Sequence, residues 1–228
     1  MVFELDIPKI KALCFDVDGT LSDTDDQFVL TIVRWLTPIN FLFPNKDPLP
    51  FARRFVMRTE TPGNFLFGIP DRLGIDDELT SLGNYLYDKG IGRSNKPFML
   101  ISGVFEALKT LSDHFPLSIV SARGEPSTNV FLNQFGLNPF FQVVATAQTC
   151  EHTKPYPDPI HWVAEKMGVD PKHCLMIGDT TVDILAARAA NAQSVGVLCG
   201  FGEEKELKNA GANLTIEHTA LLPNILIK

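Results

Sequence analysis

Short apolar runs alternate with amphipathic helical segments along most of this chain, and few folds permit that pattern. Ala12-Leu13-Cys14-Phe15, Leu117-Ser118-Ile119-Val120, Val143-Val144-Ala145, Cys174-Leu175-Met176-Ile177 and Ser194-Val195-Gly196-Val197-Leu198 are near-continuous apolar stretches. Such runs suit strands buried on both faces. Leu214-Thr215-Ile216 reads as a short edge strand. Between them lie helical faces. Val104, Ala107, Leu108, Leu111 and Phe115 fall on one side of a helix, with Ser102 as its predicted cap. Ile160, Val163, Ala164 and Met167 repeat the spacing, with Asp158 as predicted N-cap, Pro159 at the first position and Gly168 as stop. Val182, Leu185, Ala186 and Ala189 do so again. Strand–helix alternation implies right-handed crossovers and a parallel sheet. The expected fold is α/β: a Rossmann-like three-layer parallel sheet core.

Residues 22–96 break the pattern. Segments 27–36 and 76–87 look helical, and between them fall prolines 38, 44, 48, 50, 62 and 70 with no clear strand. Phe41, Phe43, Phe51, Phe55, Phe65 and Phe67 make the stretch aromatic. An excursion this long is no ordinary connection, since structureless loops above about 15 residues are uncommon. The expected organisation is a core of residues 1–21 and 97–228, with a mostly helical cap domain, 22–96, inserted after the first strand. Arg53, Arg54 and Arg58 are its main basic cluster, suited to a solvated helix face or to the non-reacting end of a substrate.

Composition narrows the function. Twenty basic residues against 27 acidic ones give a formal charge of −7, which argues against nucleic acid as a partner. The apolar runs fall far short of the ~20 residues of a membrane span. Four cysteines (Cys14, Cys150, Cys174, Cys199) without a CxxC pair suit free thiols in a reducing cytoplasm. An acidic surface fits a monomer or a homodimer equally.

The polar residues that end the strands are specific. The first run ends in Asp16-Val17-Asp18-Gly19-Thr20 and the second in Ser121-Ala122-Arg123. Lys154-Pro155 lies in the loop after the third, and the fourth ends in Gly178-Asp179-Thr180-Thr181-Val182-Asp183. Ligands of open parallel sheets bind outside the carboxyl ends of the strands, so four segments bring carboxylates, a hydroxyl and an ammonium to one edge. Asp16, Asp18 and Asp179 cannot crowd together ionised without a cation. An oxygen-only donor set suits Mg²⁺, which takes one or two carboxylates plus a substrate phosphate. Asp183, four residues past Asp179, would hold a metal-bound water or orient Lys154. Lys154 offers a compact charge to a phosphoryl oxygen, and Ser121 a hydrogen bond to the same group. An aspartate at such a site can attack phosphorus. Arg123 stands either for a substrate contact or for an exposed ion pair.

With these motifs in this order, the chain resembles the haloacid dehalogenase superfamily, in its phosphatase branch with a helical cap. The resemblance implies that Asp16 is the nucleophile and a Mg²⁺ ligand. It makes Asp18 the general acid/base and a metal ligand through its backbone carbonyl. Asp179 becomes a metal ligand and Asp183 a ligand or a neighbour of one. The resemblance has Ser121 and Lys154 bind the transferring phosphoryl group; Thr20 and Arg123 are further candidates for that contact. Dehalogenases proper lack an acid at the position of Asp18, and protonating an alkoxide leaving group needs one. Gly200-Phe201-Gly202 followed by Ala210-Gly211-Ala212 resembles phosphoglycolate phosphatases more loosely. The expectation is a Mg²⁺-dependent phosphatase of a small phosphorylated metabolite, phosphoglycolate first, working through an aspartyl-phosphate. The alternatives are a phosphomutase of the same family and a non-catalytic binding member.

Overall fold

Among the described residues, six short strands pair in one sheet, all parallel, in the order β3-β2-β1-β4-β5-β6. They are β1 (Ala12–Phe15), β2 (Leu117–Val120), β3 (Phe141–Ala145), β4 (Cys174–Gly178), β5 (Gln193–Val197) and β6 (Leu214–Ile216). The computed structural model describes residues 4–23, 32–49, 51–52 and 98–227. Each expected strand forms. Every residue of β1, β2 and β4 is buried, which is why their sequences run apolar without alternation.

The side chains of β1 divide between two cores. Leu13 and Phe15 join Leu108, Leu111, Ile119, Phe131, Ile177 and Leu222 on one face. Ala12 and Cys14 join Val120, Ile160, Val163, Met176 and Ala186 on the other. Period-two alternation along a strand thus produces three layers. The covering helices are α1 (Val104–Ser112), α2 (Glu125–Gln134), α3 (Asp158–Met167), α4 (Thr181–Ala189), α5 (Glu204–Ala210) and α6 (Leu222–Leu226). The first core meets α1, α2 and α6, the second α3 and α4.

Two caps differ from expectation. Gly103, not Ser102, precedes α1, in a left-handed conformation (φ 78°) that glycine adopts without strain. Pro157 takes the N-cap of α3, so Asp158 is its first residue and puts a carboxylate in the first turn. Gly168 ends α3 in the left-handed conformation, as its position suggested.

At the junction with the insert, the chain leaves and returns side by side. Ser22 and Leu100 form an antiparallel bridge. Asp23 N–H donates to the Met99 carbonyl at 2.8 Å, and Ile101 N–H to the Leu21 carbonyl at 2.9 Å. Of the expected helix 27–36, residues 32–36 are described and helical. A 3₁₀ segment kinked at Ile39 follows at Thr37–Leu42 and a single 3₁₀ turn at Pro44–Lys46, each with a proline in its first turn, where its fixed φ is suited. The expected helix 76–87 and the Arg53, Arg54 and Arg58 cluster lie outside the described residues. Ala52, with Ile32, Val33 and Leu49, packs on Phe201 of the core. None of the four cysteines forms a disulfide. Among the described residues no helix is long and apolar enough to cross a membrane.

Candidate active site

The strand order places a crevice beside β1. After β1 the chain builds β2 and β3 on one side, then crosses to β4 on the other. Such reversals open a ligand site at the carboxyl ends of the strands flanking them. Asp16 follows β1 there, and its N–H still donates to the Ile177 carbonyl of β4 at 2.9 Å. Asp179 follows β4 directly. Beyond Asp16 the chain turns sharply: the Val17 carbonyl accepts from Leu21 N–H at 2.9 Å and Ser22 N–H at 2.8 Å. Gly19 takes a positive φ of 69° within that turn, which delivers Asp16 and Asp18 to the same edge.

Asp183 owes its position to the start of α4. It is the third residue of the helix and forms a capping box with Thr180. Its Oδ2 accepts from Thr180 N–H at 3.0 Å and from the Thr180 hydroxyl at 2.9 Å. Its Oδ1 accepts from Lys154 Nζ at 2.6 Å. The same ammonium donates to Asp16 Oδ1 at 2.7 Å. Lys154 therefore bridges two carboxylates from the loop between β3 and α3. Asp179 is fixed from another direction, its Oδ2 accepting Phe201 N–H at 2.8 Å. A Cβ on Gly178 would overlap the Asp183 carboxyl, and one on Gly200 the Asp179 carboxyl. Gly202 lies against the Asp179 backbone carbonyl in the same way. These three glycines let the backbone close onto the acids.

The charges do not balance. Asp16, Asp179 and Asp183 are buried, and one oxygen of each lies within 4.8 Å of the others. Among the described residues Lys154 pairs with Asp16 and Asp183, and Asp179 adds a third carboxylate to the cluster. Burial pushes the Asp16 carboxyl up to about 7; Lys154 opposes this, while the charges of Asp183 and Asp18 add to it. Burial works to lower the Lys154 ammonium, but Asp16 and Asp183 outweigh it and hold the group above the ordinary lysine range. Three clustered oxygens, hard in character and short of positive charge, fit a divalent cation such as Mg²⁺. Asp16, Asp179 and Asp183 are the residues that would hold it.

A second ion pair borders this cluster. Arg123 Nε donates to Asp18 Oδ2 at 3.0 Å, and its Nη2 donates to Asp18 Oδ1. Of the two sequence alternatives for Arg123, an ion pair is what forms, yet the side chain is only 11% exposed. Ser121 is buried, and its Oγ accepts from Arg123 N–H at 3.1 Å while keeping its own proton to donate. Thr20 is fully buried; its hydroxyl has no hydrogen-bond partner among the described residues, and its carbonyl accepts from the Thr219 hydroxyl at 2.6 Å. The structure brings Asp16, Lys154, Asp179 and Asp183 into one cluster and sets the Asp18 carboxylate on Arg123. Two supports escaped the sequence reading. The Thr180-x-x-Asp183 spacing is a legible capping signal; the reach of Phe201 N–H to Asp179 has no local signature.

A family model described as haloacid dehalogenase-like hydrolase matches residues 68–197. The chain belongs to this family of hydrolases, as its four motifs indicated. It is similar to pyrophosphatase PpaX of Oceanobacillus iheyensis, 26% identical over 91% of this chain and 92% of that one. It is also similar to a phosphoglycolate phosphatase of Neisseria gonorrhoeae, 27% identical over 86% of this chain and 84% of that one. Among solved structures, a hydrolase from Pseudomonas syringae superposes with a TM-score of 0.70 at 27% identity, over 94% of this chain and 97% of that one.

Proposed function

We propose that this protein is a Mg²⁺-dependent phosphatase of a small phosphorylated metabolite, acting through an aspartyl-phosphate on Asp16. The observation that supports this most is the Lys154 bridge between Asp16 and Asp183 beside Asp179. An Asp16 oxygen attacks phosphorus as the bond from phosphorus to the leaving oxygen breaks, and Asp18 delivers the proton that this oxygen takes up. Water then attacks the phosphorus of the acyl phosphate. Asp18 takes the water's proton, and the bond to Asp16 breaks to restore the carboxylate. Lys154 and the Ser121 hydroxyl hold the phosphoryl oxygens during both displacements. Thr20 shapes the loop that presents them. A bound divalent cation would supply the charge that offsets the phosphoryl oxygens in the transition state. The cap, 22–96, would choose the substrate by closing over this edge, and free thiols suit a cytoplasmic enzyme.

Relatives named for phosphoglycolate and pyrophosphate put those two compounds first in a substrate panel. The test is phosphate release from that panel, with sugar phosphates and an aryl phosphate, with and without Mg²⁺ and beside Asp16→Asn. Mg²⁺-dependent release that disappears in the variant is the expected result. Isomerisation of a sugar phosphate without free phosphate would indicate a mutase instead. Absence of turnover in a folded, Mg²⁺-binding sample would overturn the reading in favour of a binding role.

A further inference from the structure

The Arg123–Asp18 pair joins residues 105 apart in sequence, and its geometry is specific. Both carboxylate oxygens of Asp18 are engaged by one guanidinium, through Nε and Nη2. A two-pronged contact fixes the plane of the carboxylate as well as its position, which a lysine in the same place would not do. The guanidinium is itself held from behind. Its Cζ lies 4.6 Å from the Phe98 ring centroid and 5.9 Å from that of Phe131. Those rings pack edge to face at 5.8 Å. The Phe98 carbonyl accepts from Gln134 Nε2 at 3.0 Å, tying it to α2. The Arg123 backbone is anchored too, its N–H on Ser121 Oγ and its carbonyl accepting Ala147 N–H at 3.1 Å. Asp18, by contrast, extends from a turn and is 28% exposed.

We propose that Arg123 is the positioning residue of Asp18, acting on the reaction by aiming that carboxylate and not by binding the transferring phosphoryl group. This rests on the phosphatase reading above, in which Asp18 moves the proton. Arg123 gives Nε and Nη2 to Asp18, and its third donor nitrogen, Nη1, is buried without a partner among the described residues. The phosphoryl contacts are left to Lys154 and Ser121.

The experiment is a double-mutant cycle of Arg123→Met and Asp18→Asn, with Arg123→Lys beside them. It is assayed with Mg²⁺ on an alkyl and an aryl phosphate, because an alkoxide leaving group needs a proton and an aryloxide hardly does. Arg123→Met should lower kcat for the alkyl ester by about 30-fold and for the aryl ester by about 5-fold, with KM changed less than about twofold. Arg123→Lys should restore part of the alkyl rate. In the Asp18→Asn background, Arg123→Met should change kcat by less than about twofold. A rise in KM with kcat intact, or an undiminished loss in that background, overturns the proposal. Equal losses on both esters with a lowered Tm also overturn it, since they mean a purely structural arginine. A crystal structure of Arg123→Met decides the matter independently of turnover. A reoriented Asp18 carboxylate supports the proposal even if the wild-type enzyme hydrolyses neither ester; an unmoved one refutes it.

Discussion

Two ion-pair systems sit at one sheet edge, and they are built differently. In the inner one Lys154 lies between Asp16 and Asp183, with side-chain exposures of 4%, 9% and 0%. Every oxygen of Asp183 is engaged, by Lys154, by Thr180 N–H and by the Thr180 hydroxyl. The outer system joins Arg123 to Asp18, whose acid still meets water. Removing one member of a buried pair strands a charge, whereas a partly hydrated partner can recruit solvent. In the mechanism proposed above, the inner system would hold groups in place and the outer one would aim the group that moves a proton.

The sharpest test is Asp16→Asn, which should abolish phosphate release, by about 10⁴-fold or more, while the protein stays folded by circular dichroism. Residual turnover near the wild-type level would remove Asp16 from the inner system's chemistry.

Lys154→Met should come next. It leaves Asp16 and Asp183 without their ammonium and should cost about 3–5 kcal/mol in urea unfolding of the cation-free protein. Arg123→Met should cost about 1 kcal/mol in the same assay. Equal losses would erase the distinction between the two systems.

A smaller, graded effect concerns protons. In the cation-free protein Asp16 takes its proton near pH 7 instead of near 3.8, chiefly through burial. Between those values the folded chain holds a proton that the unfolded chain has released, so this group's contribution to stability falls as pH rises through that window. A cation must displace that proton, so Mg²⁺ affinity by titration calorimetry should weaken about tenfold per pH unit below about 7. Asp16→Asn should flatten the Tm-against-pH slope between those limits. An identical slope in the variant would assign the proton elsewhere.

The smallest effect expected is that of Thr180→Ala. It removes the hydroxyl bond to Asp183 but keeps the backbone one, and should lower stability by about 1 kcal/mol with kcat reduced only a few-fold. A loss as large as that of Lys154→Met would mean that the cap, and not the ammonium, secures Asp183.

Much of this arrangement was legible from local pattern. Strands buried on both faces announce themselves by unbroken apolar runs, and the polar residues after β1, β2 and β4 mark the edge where the acids meet. Helix α2 was not legible: in Glu125–Gln134 only Thr128, Phe131 and Leu132 are buried, too thin a stripe to stand out. Helix α5 buries Leu207 alone within seven residues. The Arg123–Asp18 pair was hidden for another reason. Sequence separation says nothing about which charges a parallel sheet will bring together, and an arginine three residues past a strand suits solvent as well as a partner. The link from Phe201 to Asp179 is made by a backbone N–H, which any residue except proline could offer.

At Gly178, Gly200 and Gly202 a single added methyl would occupy space held by Asp183 or Asp179. The address of the acids is therefore written in missing atoms. A chain of this kind can drift at many solvent-facing positions and keep its chemistry, but at these three the smallest side chain in the genetic code is already too much text.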